Sequence, residues 1–197
     1  MNRPETIRAF VSLNVPAEIR GRAAGVQREL QPVAGDAVRW VAPGQIHLTL
    51  KFLGAIAIAS VPELEAALRR AGAGATPFAL RLGAVGGFPD LRQPRVLWIG
   101  LEGNLGALQR AQECVRRETV EWGRAEEREF HPHLTLGRIP AARPGGCRDL
   151  AARAESIPSQ PDVSWRVTEM HLMRSELSAG GSRYTSLAAF PLGAAHE

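Results

Sequence analysis

The sequence predicts an α+β fold of two pseudo-symmetric lobes, each a mainly antiparallel sheet with flanking helices, facing a central cleft. Short alternating stretches are interleaved with amphipathic helical ones, and several connections are short enough for hairpins. No low-complexity linker divides the 197 residues. The tetrapeptide His-Leu-Thr-Leu occurs twice, at residues 47–50 and 133–136. A chance second copy in this composition is expected at roughly two in a thousand, so the repeat calls for a structural cause. The copies lie 86 residues apart, well beyond the ~20–50-residue period of solenoids. Each copy is therefore assigned to one half of a single two-lobed domain, residues 1–197.

The elements follow in order. Ile7 to Val15 alternates and reads as a strand. Pro16 suits the opening of a helix to about Leu30, with Ile19, Ala23, Val26 and Leu30 on its apolar face. Val38 to Val41 is a short strand ended by the Pro43-Gly44 turn. Gln45 to Phe52 is the first motif strand, closed by Gly54. A helix is predicted over Val61 to Ala71, with Ser60 and Glu63 at capping-box spacing. Phe78 to Leu82 and Arg95 to Leu101 read as strands around a Gly-Gly-Phe-Pro-Asp loop at residues 86–90. Asn104 can cap a helix to about Val120. Phe130 to Ile139 is the second motif strand. Ala141 to Gly146 is a Pro/Gly loop and Asp149 to Glu155 a short helix. Val163 to Arg174 reads as one long alternating strand. Gly180-Gly181 turns the chain into a last strand, Tyr184 to Phe190.

Composition narrows the class. The hydrophobic fraction of 45% supports a packed core. The formal net charge is +4, and Lys51 is the only lysine among 24 basic residues. Arginine stays charged at any physiological pH and its planar fork suits phosphate. That balance is compatible with nucleotide or RNA partners without demanding them. Cys114 and Cys147 make neither a metal-like pair nor a disulfide framework, so both are expected reduced. The start of the chain lacks a signal-peptide core and no apolar run approaches the ~18 residues of a membrane span. A cytoplasmic monomer with no membrane partner is expected.

In a strand, side chains alternate between faces. Each motif copy therefore points its His and Thr to one face and its two Leu to the other. The leucines can enter a core while an imidazole and a hydroxyl stand together above the sheet. Histidine titrates near 6.5, so one ring can be neutral while another is charged. Such a pair can take a proton from a nucleophile and return one to a leaving group. Two threonines can donate to anionic oxygens, which suits a phosphoryl group. A cyclic phosphodiester adds ring strain, so no metal or other cofactor is required. A zinc site from His47, His131 and His133 is disfavoured, because no carboxylate or Cys stands at ligand spacing.

Other candidates are weaker singly. Lys51 shares the face of His47 and Thr49 by parity and is a candidate phosphate ligand. Arg138 falls on the face opposite His133 under strict alternation, and a bulge at Gly137 is needed to aim it inward. Phe10 and Phe52 are candidate base-stacking walls. Trp40 and Trp98 sit in apolar strands and read as core. Tyr184 and Arg183 are candidates for the rim. His131 reads as an exposed strand-entry residue, and His171 and His196 carry no partner signal.

Several segments together resemble a known family: Arg39-Trp40-Val41-Ala42-Pro43, Ile46 to Gly54, Pro132 to Arg138, and Arg174-Ser175-Glu176-Leu177. They look like the bacterial and archaeal RNA 2′,3′-cyclic phosphodiesterases, also called 2′-5′ RNA ligases, of the two-histidine phosphoesterase superfamily. The likeness runs in order from Arg8-Ala9-Phe10 to Gly181-Ser182-Arg183-Tyr184 and Phe190-Pro191-Leu192. The resemblance implies two similar lobes around a groove and metal-independent hydrolysis of a 2′,3′-cyclic phosphate, on RNA or a cyclic nucleotide, to a 2′-phosphate. It also implies reversible 2′-5′ ligation and a role in tRNA or other RNA processing. The family's catalytic histidines map onto His47 and His133, its phosphate-binding threonines onto Thr49 and Thr135, and a phosphate-proximal arginine onto Arg138. Two alternatives stay open. Related branches act on ADP-ribose cyclic phosphate or on 2′-5′ oligonucleotides, and an RNA-end binding module without turnover would keep the same residues.

Overall fold

The computed structural model describes residues 5–123, 129–140, 147–178 and 181–193. The Ala141–Gly146 loop, Gly180, His196 and the thiol of Cys147 lie outside the described residues. The strands are β1 (Thr6–Leu13), β2 (Arg39–Trp40), β3 (Leu48–Ala57), β4 (Phe78–Phe88), β5 (Val96–Gly103), β6 (His133–Arg138), β7 (Gln160–Val167), β8 (Glu169–Ser178) and β9 (Gly181–Pro191). The helices are α1 (Ala17–Ala34), α2 (Val61–Ala73), α3 (Leu105–Glu118) and α4 (Cys147–Ser156). The class is α+β, as the interleaved patterns predict.

Two antiparallel sheets form. The first runs β3-β1-β8-β9 and the second β2-β6-β5-β4-β7. Each holds one motif strand, β3 or β6, at or next to an edge, and these two strands touch each other. Two of the helices are exchanged between halves. α1 follows β1 of the first sheet yet packs on β6 and α4, while α3 follows β5 of the second sheet yet packs on β3 and α2. Their apolar faces join both sheets in one core: Ile19, Ala23, Val26 and Leu30 from α1 and Leu108, Ala111 and Val115 from α3. Asn104 caps α3 as expected, its Oδ1 accepting from the Ala107 amide at 3.0 Å.

Several boundaries differ for physical reasons. Gly54 does not close the first motif strand. β3 continues to Ala57 with Gly54 at φ +69°, a conformation glycine adopts without cost. Ser60 makes no side-chain cap, because a 3-10 turn over Ile58–Ser60 already leads into α2. The Gly86-Gly87-Phe88 segment belongs to β4 rather than to a loop. Val163 to Arg174 is two strands in different sheets, broken at Thr168. The break was written as a change of phase: Trp165 and Val167 are buried at odd positions, Met170 and Leu172 at even ones.

Candidate active site

His47 stands one residue before β3 and His133 opens β6. Each ring is fixed in the same way. His47 Nδ1 donates to the carbonyl of Gln45 at 2.7 Å, and His133 Nδ1 donates to the carbonyl of His131 at 2.7 Å. A carbonyl can only accept, so each Nδ1 carries the proton and each Nε2 is left with its lone pair. The same i−2 contact in both halves gives two imidazoles with one tautomer and one reactive nitrogen apiece.

Burial holds both rings below the ordinary imidazole value, because it disfavours the charged form. The carbonyl bonds oppose that shift, and the Arg138 guanidinium adds to it at both rings. His133 also lowers His47 by like charge, and His131 lowers His133. Arg138 thus lowers both rings, and the two strands that carry the motif copies touch.

Thr49 and Thr135 are half-buried and lie two residues beyond their histidines, on the same faces. Immediately after each Thr comes a bulge. Ser12 pairs with Thr49 and Val11 with Lys51, so Leu50 has no opposite residue. Trp98 pairs with Thr135 and Leu97 with Gly137, so Leu136 has none. An extra residue shifts the alternation by one. The bulge that Arg138 needs is thus present, at Leu136-Gly137. Arg138 stands opposite Val96, whose face also carries Trp98 and Gly100, the partners of Thr135 and His133.

The matching bulge overturns the expectation for Lys51. Lys51 is 3% exposed, and its Nζ donates to the Thr119 carbonyl at 2.7 Å and Thr119 Oγ1 at 3.0 Å. It is a cation at the C-terminal end of α3, where carbonyls lack helical partners, and not a ligand on the face of His47. Parity failed because it assumed an unbroken ladder. Phe52 takes the outward place and is 60% exposed. Phe10 is also corrected as a stacking wall: at 3% exposure it has no free face. Its ring backs His47 at 4.8 Å and Tyr184 at 5.1 Å.

The two rings sit in different aromatic frames. Tyr184 meets His47 edge-on at 5.0 Å. Around His133 stand Phe88 at 5.0 Å and Trp98 at 6.2 Å, and His131 packs on Trp98 at 5.1 Å. Trp98 is therefore a wall of the site rather than core. Its signal was present, since Leu97, Ile99 and Leu101 fill the buried face and leave Trp98 on the other. A Cβ at Gly86, its cross-strand partner, would overlap the indole, so glycine is required there. Trp40 packs against the core as expected, and His171 bonds Ser186 and Glu169. No helix among the described residues is long and apolar enough to cross a membrane.

Known proteins share this sequence pattern and fold. The model of the 2′-5′ RNA ligase superfamily matches residues 15–179. An RNA 2′,3′-cyclic phosphodiesterase of Methanothermobacter thermautotrophicus is 33% identical over 189 residues, covering 94% of this chain and 99% of that relative. The crystal structure of TT0787 of Thermus thermophilus superposes with a TM-score of 0.78 at 30% identity, covering 96% of this chain and 100% of that one. That of E. coli LigT complexed with 3′-AMP gives 0.77 at 30% identity, covering 95% and 99%.

Proposed function

This chain belongs to the 2′-5′ RNA ligase superfamily, and from that premise we propose that it hydrolyses 2′,3′-cyclic phosphate ends of RNA or nucleotides to 2′-phosphates. The observation that carries this reading is the matched pair of Nδ1-to-carbonyl bonds, which leaves two Nε2 atoms for proton transfer. His133 Nε2 takes a proton from water as its oxygen attacks phosphorus. The bond from phosphorus to the 3′ oxygen breaks, and His47, which enters this step as the imidazolium with both ring nitrogens protonated, donates its Nε2 proton to that oxygen. The 2′ ester stays intact. Thr49, Thr135 and Arg138 hold the non-bridging oxygens, and Phe52 offers a ring face to the base. Ring strain and these fixed donors supply what a metal would otherwise supply. Ligation through a 2′-5′ bond is the reverse step with the histidine roles exchanged. The chain works as one two-lobed domain, a monomer in the cytoplasm.

The test is incubation with 2′,3′-cyclic AMP in excess chelator, with the phosphate position read in the product. A 2′-phosphate at an undiminished rate is expected; a 3′-phosphate or chelator-sensitive turnover defeats the scheme. His47→Ala and His133→Ala should each lower kcat by about 10²–10⁴-fold, the usual share of acid–base catalysis. A diester with a p-nitrophenyl leaving group needs no acid, so it should rescue His47→Ala but not His133→Ala. The opposite rescue would exchange the two roles.

A further inference from the structure

β2 is one of the two edge strands of the second sheet, and it pairs antiparallel with β6 so that Arg39 stands directly opposite Arg138. Residues directly opposite project from the same face, with Cβ atoms about 4.5–5.5 Å apart. Their neighbours confirm the face. Val38 is buried, Trp40 packs against the core, and a Cβ at Gly137 would overlap Val38 on that inner side. Arg39 and Arg138 are both exposed on the other side, which is the face of His133 and Thr135. None of the ion pairs among the described residues includes either arginine.

Like charges set directly opposite on a sheet repel and destabilise the pairing. This pair lies on the shortest strand of the fold, where a polar residue at position 39 would avoid the repulsion. Arg138 shares the face of Thr135 and His133, and the proposed function assigns it to the phosphate under attack. Arg39 lies one strand spacing, about 4.8 Å, further from the centre. One phosphate does not need both guanidiniums in addition to two hydroxyls.

We propose that Arg39 holds a second phosphate, the one on the 5′ oxygen of the terminal nucleoside, so that the enzyme selects RNA ends over isolated cyclic nucleosides. This rests on the hydrolase reading above and adds a subsite to it. A 5′-monophosphate and an internucleotide diester present the same anionic oxygens, and they are separated by substrate.

The experiment compares kcat/KM for adenosine 2′,3′-cyclic phosphate, its 5′-phosphorylated form and the dinucleotide ApA ending in a 2′,3′-cyclic phosphate. The native protein should prefer ApA over the nucleoside about tenfold, the worth of one exposed charge-assisted contact. Arg39→Gln should remove most of that preference, and Arg39→Lys should keep part of it. The salt slope for ApA should flatten by roughly 0.7 in Arg39→Gln, the loss of one phosphate contact on a single strand. Preference for the 5′-monophosphate alone would assign the subsite to a mononucleotide and overturn selection of RNA ends. A preference that survives Arg39→Gln, or one absent from the native protein, overturns the inference. If the native protein turns over none of the three, the hydrolase reading fails. Calorimetric titration with ApA 2′-phosphate, native against Arg39→Gln, then still reads the second subsite.

Discussion

The His47 half and the His133 half share a backbone and differ in what they hang on it. In both, the ring is held by a carbonyl two residues back, a threonine follows by two, and a buried leucine bulges after it. Five residues after the histidine, one half presents Phe52 and the other Arg138. The bulge is thus a device for returning a side chain to the face of the histidine and threonine, and the residue placed there sets what that half offers. The first half offers an exposed ring and the second a cation, a division that suits a nucleoside on one side and phosphate on the other.

The bulges are also tied down from the opposite half. Gln27 of α1 donates its amide to the Val41 carbonyl at 2.7 Å and the Leu136 carbonyl at 2.9 Å. Leu136 is the bulged residue of β6, and its carbonyl also accepts the Val41 amide at 2.8 Å, so Gln27 ties the bulge and the chain leaving β2 to α1. Lys51, just past the bulge of β3, is held by Thr119 at the end of α3. Each exchanged helix therefore anchors the motif strand of the half it crosses to.

Substitutions can break this comparison. Arg138→Gln should cost the most after the histidines themselves, about 10²-fold in kcat, the scale of one lost transition-state donor. Phe52→Arg would make the halves alike at this position and should not rescue it, which a double variant measures. Gln27→Leu leaves the Val41 carbonyl short of its donor and should cost about 1–3 kcal/mol of stability, read by urea unfolding. Lys51→Met takes a donor from a Thr119 carbonyl that the Trp122 amide still serves and should cost about 1 kcal/mol. Gln27→Leu should in addition lower activity through Arg138, whereas Lys51→Met should act through Phe52 and raise KM. Equal kinetic effects from the two would contradict the division of labour. Phe52→Ala should raise KM several-fold with kcat little changed, as loss of one exposed stacking face implies.

The smallest expected effects are on pH dependence. Both histidines titrate below the ordinary value of about 6.5. The profile of kcat/KM, which reports the free enzyme, should be a bell with its optimum on the acid side of neutrality. An optimum above pH 7.5 would contradict the burial of the rings. His131→Ala removes a like charge beside His133 and should move one limb upward, with no counterpart in the other half. Stability carries the same sign. The unfolded chain binds more protons between the folded and unfolded pKa values, so this contribution is complete above about pH 6.5 and is lost as pH falls through the folded values. Thermal melts of the native protein and a His47→Gln, His133→Gln pair should converge as pH is lowered from 7.5 to 5.

The repeated tetrapeptide alone determined much of this protein. Period-two geometry follows from the backbone, so it placed His and Thr together, put the leucines inside, and assigned one strand to each half. The capped helix at Asn104 and the apolar face of α1 were likewise local properties of the chain. What tertiary structure alone decided was everything downstream of a bulge. Whether Leu50 and Leu136 are in register depends on their partner strands, β1 and β5, and on Gln27 and Thr119, which come from remote helices. Those non-local contacts turned Lys51 inward, Phe52 and Arg138 outward, and brought Tyr184 and Trp98 beside rings that nothing in their own segments connects them to.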